Sequence, residues 1–272
     1  MLKIGLIGYG SMGSMFIDRF ISSGKATEDD IIVSTRTKSK LETLKSKWPN
    51  VVIAEDNMEV AKRAKYVFLC VKPYQVKEIL EEIKGVVTAQ THIISANSFM
   101  TIENIEKLTG VKISKLSPSL TSEVSEGYSL LCHGSKVTSD EAEVLEVLLG
   151  GLGKIKLISE EEFEIADKLT SCGPGLIAAI FEEFVKSAAA KGRSIDCKVA
   201  EDLILHTLLG TARLLVEKGV GFDEMVSRVA TEGGITEAGI KVLKADLPEV
   251  FGEMFSSAIN RSRQISELVN KN

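Results

Sequence analysis

The chain predicts two folds in series: a doubly wound, mostly parallel α/β domain over residues 1–157, and an all-helical domain over 158–272. Three observations predict it. In the first half, short apolar β-branched runs alternate with amphipathic segments of helical length, the pattern of successive βαβ units. The first run, Leu2–Ile7, passes directly into Gly8-Tyr9-Gly10-Ser11-Met12-Gly13 and then into an amphipathic stretch from Ser14 to Ser23. Beyond about Lys156 the alternation stops and long helical segments follow one another.

Strand, glycine turn and helix in that order form the context in which G-x-G-x-x-G marks a dinucleotide site, so the first domain is expected to be of the Rossmann type. Gly8 suits the tight turn, Gly10 the close approach to a pyrophosphate, and Gly13 the packing of helix on strand. With Tyr9, Ser11 and Met12 they form the expected phosphate cradle, completed by the free N–H groups of a helix N-terminus.

Each further element follows from its own residues. Ile31–Ser34 reads as a second strand and Ser39–Lys47 as a helix. Val51–Ile53 reads as a third strand and Asn57–Lys65 as a helix over the sheet. Tyr66–Val71 is apolar on both faces, as a central parallel strand must be, and Lys72-Pro73 ends it at a position where ligands collect in doubly wound sheets. A helix from Tyr74 to Ile83, a strand from Thr91 to Ser95, a helix from Thr101 to Leu108 and a strand from Lys112 to Leu116 continue the alternation. Ser129–His133 reads as a late strand, and Thr138-Ser139-Asp140-Glu141 as a capping box that opens a helix running to Leu149. Six helices are expected after it, at about 160–170, 174–191, 197–218, 222–230, 237–245 and 247–271. Leu176–Phe181 is apolar almost all round, so it must be covered on every side, which points to a homodimer through the C-terminal helices.

Composition narrows the function. Hydrophobic residues make up 44% and charged residues 26%, as in ordinary globular proteins, and the net charge of −5 speaks against a nucleic-acid binder. Cys70, Cys132, Cys172 and Cys197 are far apart and form no C-x-x-C, which suits reduced core thiols of a cytoplasmic protein rather than zinc or disulfides. No secretory leader and no membrane span are expected. His92, His133 and His206 read as isolated packing or surface residues with no metal-ligand spacing.

At the end of the second strand a NAD-binding protein places an acid against the ribose 2′-hydroxyl. Here stand Ser34, Thr35, Arg36, Thr37, Lys38, Ser39 and Lys40. A guanidinium fork flanked by hydroxyls suits a 2′-phosphate, so NADP(H) is favoured over NAD(H). In the second half, Val229–Gly239 is a glycine-rich turn between helices whose N–H groups could hold a carboxylate.

The chain resembles the pyrroline-5-carboxylate reductases over nearly its whole length. The resemblance rests on GYGSMG, Asn57, Val71-Lys72-Pro73 with Gln75, Glu126-Gly127, Ser171-Cys172-Gly173-Pro174, Glu182 and, most specifically, T-E-G-G-I-T-E-A-G from Thr231 to Gly239. It implies a Rossmann domain followed by a dimerising helical domain, and NAD(P)H-dependent reduction of the cyclic imine 1-pyrroline-5-carboxylate to L-proline. It also implies that Thr231, Gly233 and Gly234 bind the substrate carboxylate. Thr236 would be the catalytic hydrogen-bond donor at the ring nitrogen, and Asn57, Val71, Lys72 and Pro73 would line the cofactor. The chain departs from the family pattern at Ala96-Asn97-Ser98, Ser117–Thr121 and Cys172–Gly175. At Glu232 it carries a carboxylate where the family has proline. Such departures resemble the divergent, competence-associated paralogues of the family, for which cofactor binding with a regulatory role, or a different imine, is the alternative expectation.

Overall fold

The computed structural model describes residues 2–192 and 195–271. Contacts divide the chain into two units, Met1–Pro174 with Ile259–Asn272, and Gly175–Ala258.

The first unit is built on strands β1 (Leu2–Ile7), β2 (Ile31–Ser34), β3 (Val52–Ile53), β4 (Ala64–Leu69), β5 (His92–Ser95), β6 (Lys112–Ser117), β7 (Tyr128–His133) and β8 (Lys154–Leu157). Their order in the sheet is β3-β2-β1-β4-β5-β6-β7-β8. The first six run parallel, β7 turns antiparallel to β6, and β8 runs parallel to β7. Helices α1 (Ser11–Ser22), α2 (Lys38–Lys47), α3 (Asn57–Arg63), α4 (Val76–Ile83), α5 (Ile102–Thr109), α6 (Ser139–Leu149) and α7 (Phe163–Thr170) connect or cover the strands.

Alternation along the strands sends side chains to two separate cores. On one face Ile4, Leu6 and Phe68 meet Phe16 and Phe20 of α1 and Leu145 of α6. The rings of Phe16, Phe20 and Phe68 lie 5.5–5.8 Å apart. On the other face Ile7, Val67, Leu69 and Ile93 pack with Val60, Leu80, Ile105 and Phe163. The predicted helix over 57–65 is shorter than expected, because Ala64 and Lys65 already belong to β4, which pairs with β1 from Ala64 onward. The run that follows Gly153, Lys154–Leu157, becomes the eighth strand.

Buried polar contacts explain why α7 belongs with the sheet although it lies beyond the 157/158 boundary read from the sequence. Lys115 of β6, buried, donates to Glu160 at 2.7 Å and lies over the Phe163 ring. Glu160 also accepts from the Ile102 N–H at the start of α5, and Ser117 donates to Asp167.

Two expectations are corrected. His92 and His133 are not isolated: each ring places a nitrogen 2.7 Å from Ser114 Oγ, on the strand between them. Proximity across strands is invisible to linear spacing. Cys172 and Cys197 are exposed rather than core thiols, while Cys70 and Cys132 are buried; all four are free.

The second unit takes in most of α8 (Gly173–Lys191), α9 (Cys197–Glu217), α10 (Phe222–Val229) and the first part of α11 (Ile235–Lys271). The sequence predicted separate helices over 237–245 and 247–271, yet one 37-residue helix carries Pro248 inside it. Proline removes one N–H and strains a single turn, and the turns on either side continue. No described helix is long and apolar enough to cross a membrane.

Candidate functional site

The glycine turn after β1 shows three different constraints in three glycines. Gly8 has φ +104°, its N–H donates to Ser34 O at 2.9 Å, and a Cβ there would stand 2.4 Å from the Cys70 carbonyl oxygen. A Cβ on Gly13 would meet the Gly8 carbonyl oxygen at 2.3 Å. A Cβ on Gly10 would meet nothing within 4 Å. Gly10 thus faces open space at the N-cap of α1, where no side chain caps the helix. First-turn N–H groups left uncapped beside an open cradle fit a pyrophosphate.

The ends of β2 and β4 wall a cavity of about 350 Å³ around this cradle, within the range of small-molecule and cofactor sites. Of the residues expected at the cofactor, Gly8, Tyr9, Gly10, Arg36, Thr37, Asn57, Val71 and Lys72 line it. Ser11, Met12, Gly13, Ser34 and Pro73 do not. Ser11, Met12 and Gly13 form the first turn of α1, with Met12 packed against the core. Pro73 opens a single 3₁₀ turn through Gln75. Ser34 is buried, and its hydroxyl donates to Asn57 Oδ1 at 2.7 Å. Asn57 in turn donates to Glu82 at 2.7 Å, so the pair aligns the wall rather than facing an occupant with every polar atom.

The wall is divided by charge. Arg36 and Lys40 lie on the β2 side, Glu78 and Glu82 on α4. Sequence reasoning assigned no role to Gln75, Glu78 or Glu82. Their spacing of three and four residues places them on one helical face and was the available signal. Cys70, at the back of the turn, has its thiol pushed far up by burial and is chemically quiet.

In the second unit the turn from Ala230 to Gly234 joins α10 to α11, whose first turn carries Thr236. Gly233 has φ +71° and its N–H donates to Glu237 Oε2 at 2.7 Å, while the Gly234 N–H donates to Thr231 O at 2.9 Å. A Cβ on Gly234 would meet Thr231 Oγ1 at 2.5 Å, so the tightness of this turn requires glycine. Thr231, Glu232 and Thr236 are exposed.

Fold and cavity together define a dinucleotide-binding protein of the Rossmann type with an appended helical unit. Residues 3–98 match the NADP oxidoreductase, coenzyme F420-dependent, family, and residues 160–265 match pyrroline-5-carboxylate reductase dimerisation. The chain is 36% identical to pyrroline-5-carboxylate reductase 3 of Bacillus subtilis, covering 100% of this chain and 99% of that one. Its structure is similar to that of a pyrroline-5-carboxylate reductase from Coxiella burnetii, with TM-score 0.87 and 30% identity over 97% of this chain and 98% of the other. The fold is shared with the Plasmodium falciparum pyrroline carboxylate reductase solved with NADP bound, with TM-score 0.83 and 20% identity over 98% of each chain. The chain belongs to the pyrroline-5-carboxylate reductase family.

Proposed function

We propose that the chain reduces 1-pyrroline-5-carboxylate to L-proline, with NADPH preferred over NADH. The observation that carries this reading is the 36% identity to a reductase over the entire chain. The chemistry that a reduced dinucleotide would supply when held by the Gly8–Gly13 turn is a hydride for the imine carbon, with a proton needed at the ring nitrogen.

The chain's own residues bind and align. The Gly8–Gly13 turn and the start of α1 hold the pyrophosphate, and Arg36 with Thr37 meets the 2′-phosphate. Thr231, Gly233 and Gly234 hold the substrate carboxylate. The Gly233 N–H already meets a carboxylate, that of Glu237, so a substrate carboxylate would take that position by exchange. The Thr236 hydroxyl, exposed in the first turn of α11, is the hydrogen-bond donor to the ring nitrogen. The working form is a homodimer, or an assembly of dimers, joined through the second unit. Four free thiols suit a cytoplasmic setting.

Purified protein given pyrroline-5-carboxylate should oxidise NADPH and form proline in equal amounts, and Thr236→Ala should lose most of that turnover. Native protein that binds NADPH but turns over no faster than Thr236→Ala would overturn the reading.

A further inference from the structure

Gln75 is a buried residue at the end of the 3₁₀ turn that follows β4, and it shares the cavity wall with Arg36. Its side-chain amide stands between two donors, the Lys72 backbone N–H at 3.3 Å and the Arg36 guanidinium. One carbonyl oxygen cannot serve both directly. Turned toward Arg36, it accepts from Nη2 and from Nη1, the latter at 3.0 Å. Two charge-assisted bonds outweigh one long neutral bond, so the amide is assigned with its oxygen on the guanidinium.

We propose that Gln75 is a positioning residue for coenzyme specificity: it holds the Arg36 fork ready for the 2′-phosphate while leaving its charge intact. This rests on the NADP reading above. An exposed arginine on a flexible stem loses rotamer freedom when it grips a phosphate, and a partner that fixes it beforehand removes part of that cost. The choice of partner matters. Glu78 and Glu82 stand in the same cavity, and a carboxylate on the fork would offset the charge that the phosphate seeks. A neutral amide orients without neutralising. It engages one N–H on each terminal nitrogen, and the guanidinium has five to offer.

The test is calorimetric titration of the purified protein with NADPH and with NADH, comparing the ratio of the two dissociation constants. The variants are Gln75→Met, which keeps volume and removes the acceptor, Gln75→Glu, Arg36→Ala and the double variant Arg36→Ala/Gln75→Met. Gln75→Met should cut the preference for NADPH by about five- to tenfold, the scale of one lost charge-assisted contact. Gln75→Glu should cut it further. In the Arg36→Ala background Gln75→Met should change the ratio no more, because coupled residues are non-additive. If Arg36→Ala shifts the ratio but Gln75→Met leaves it unchanged, or shifts it equally with Arg36 absent, the positioning role is overturned and the 2′-phosphate reading stands. If Arg36→Ala leaves the ratio unchanged, both fall. A purely structural role would lower thermal stability without moving the ratio, and that outcome also overturns the proposal.

Discussion

Two glycines two residues apart carry opposite loads. At Gly8 a methyl group would collide with the Cys70 carbonyl in a backbone with φ +104°. Gly8→Ala should therefore destabilise the fold by about 2–4 kcal/mol, measurable by denaturant titration without cofactor. At Gly10 the same methyl would enter open space, in a backbone with φ −98° that alanine adopts. Gly10→Ala should leave the unfolding midpoint within about 2 °C while weakening dinucleotide binding roughly tenfold or more, since the methyl takes the room of the pyrophosphate. Equal stability losses in the two variants would show that the turn, not the ligand, needs Gly10. Glu232 poses a different question. It is exposed, so its repulsion of a substrate carboxylate is screened, and Glu232→Gln should lower KM for the imine about two- to fivefold with kcat little changed. An unchanged KM would place the charge out of reach of the substrate.

Strands β5, β6 and β7 carry a feature that belongs to the sheet rather than to any one residue. The Ser114 hydroxyl has one proton to give and two imidazoles at 2.7 Å. One ring must therefore donate to it and the other accept. His92 Nδ1 and His133 Nε2 are both buried without a hydrogen-bond partner, but only the second has a carboxylate near it, that of Glu146 at 3.8 Å. A bare nitrogen costs less at His92 Nδ1 than an orphaned N–H, so the proton order runs from His92 through Ser114 to His133 and toward Glu146. Burial, then the neighbouring His133, holds the His92 pKa down at about 4, with Lys112 and Lys65 adding to the effect and Glu141 opposing it. Burial also lowers His133, against Glu146. A histidine whose folded pKa lies below its unfolded value binds more protons when unfolded, so stability is full above about pH 6.5 and falls as pH drops toward 4. For His92 the loss across that window is of order 3 kcal/mol. Unfolding free energies measured from pH 7 to 4 should fall more steeply for the native chain than for His92→Gln; parallel slopes would remove His92 from the account. Glu141, which burial pushes up but bonds from Lys112 and Thr138 hold at about 2, loses its contribution as pH falls from about 4.5 toward 2, so it adds to the slope at the low end of the window in the native chain and in His92→Gln alike.

At the scale of the molecule, the second unit exposes apolar groups that a lone chain would not leave in water. Ile177, Ile180 and Phe184 of α8 are 48%, 40% and 53% exposed and recur at helical spacing. Phe184→Asp should shift the protein toward monomer in sedimentation equilibrium, with the cofactor cavity of the first unit retained. A variant that sediments like the native protein would move the contact elsewhere. The division of the chain also sharpens at this scale. Ser266 Oγ and Asn270 Nδ2 both donate to Phe99 O, and Arg263 grips Glu164 at 2.7 and 2.8 Å, so the end of α11 returns to the sheet unit. No local pattern carries that information, because the contacts join residues 99 or more positions apart.

The sequence by itself determined the alternation of strands and helices as far as β7 and α6, the glycine turn after β1 and the backbone constraints at Gly8 and Gly13. All of these follow from side-chain periodicity and backbone freedom within a few residues. Eight of the thirteen residues expected at the cofactor line the cavity, since doubly wound sheets bring strand ends together by rule. Only the tertiary structure decided that Ser34 serves Asn57, that Gln75 meets Arg36, that two histidines share one hydroxyl, and that α7 and the last turns of α11 belong to the sheet unit. Each is a contact between elements distant in the chain, set by strand register and packing, and none leaves a local pattern to read.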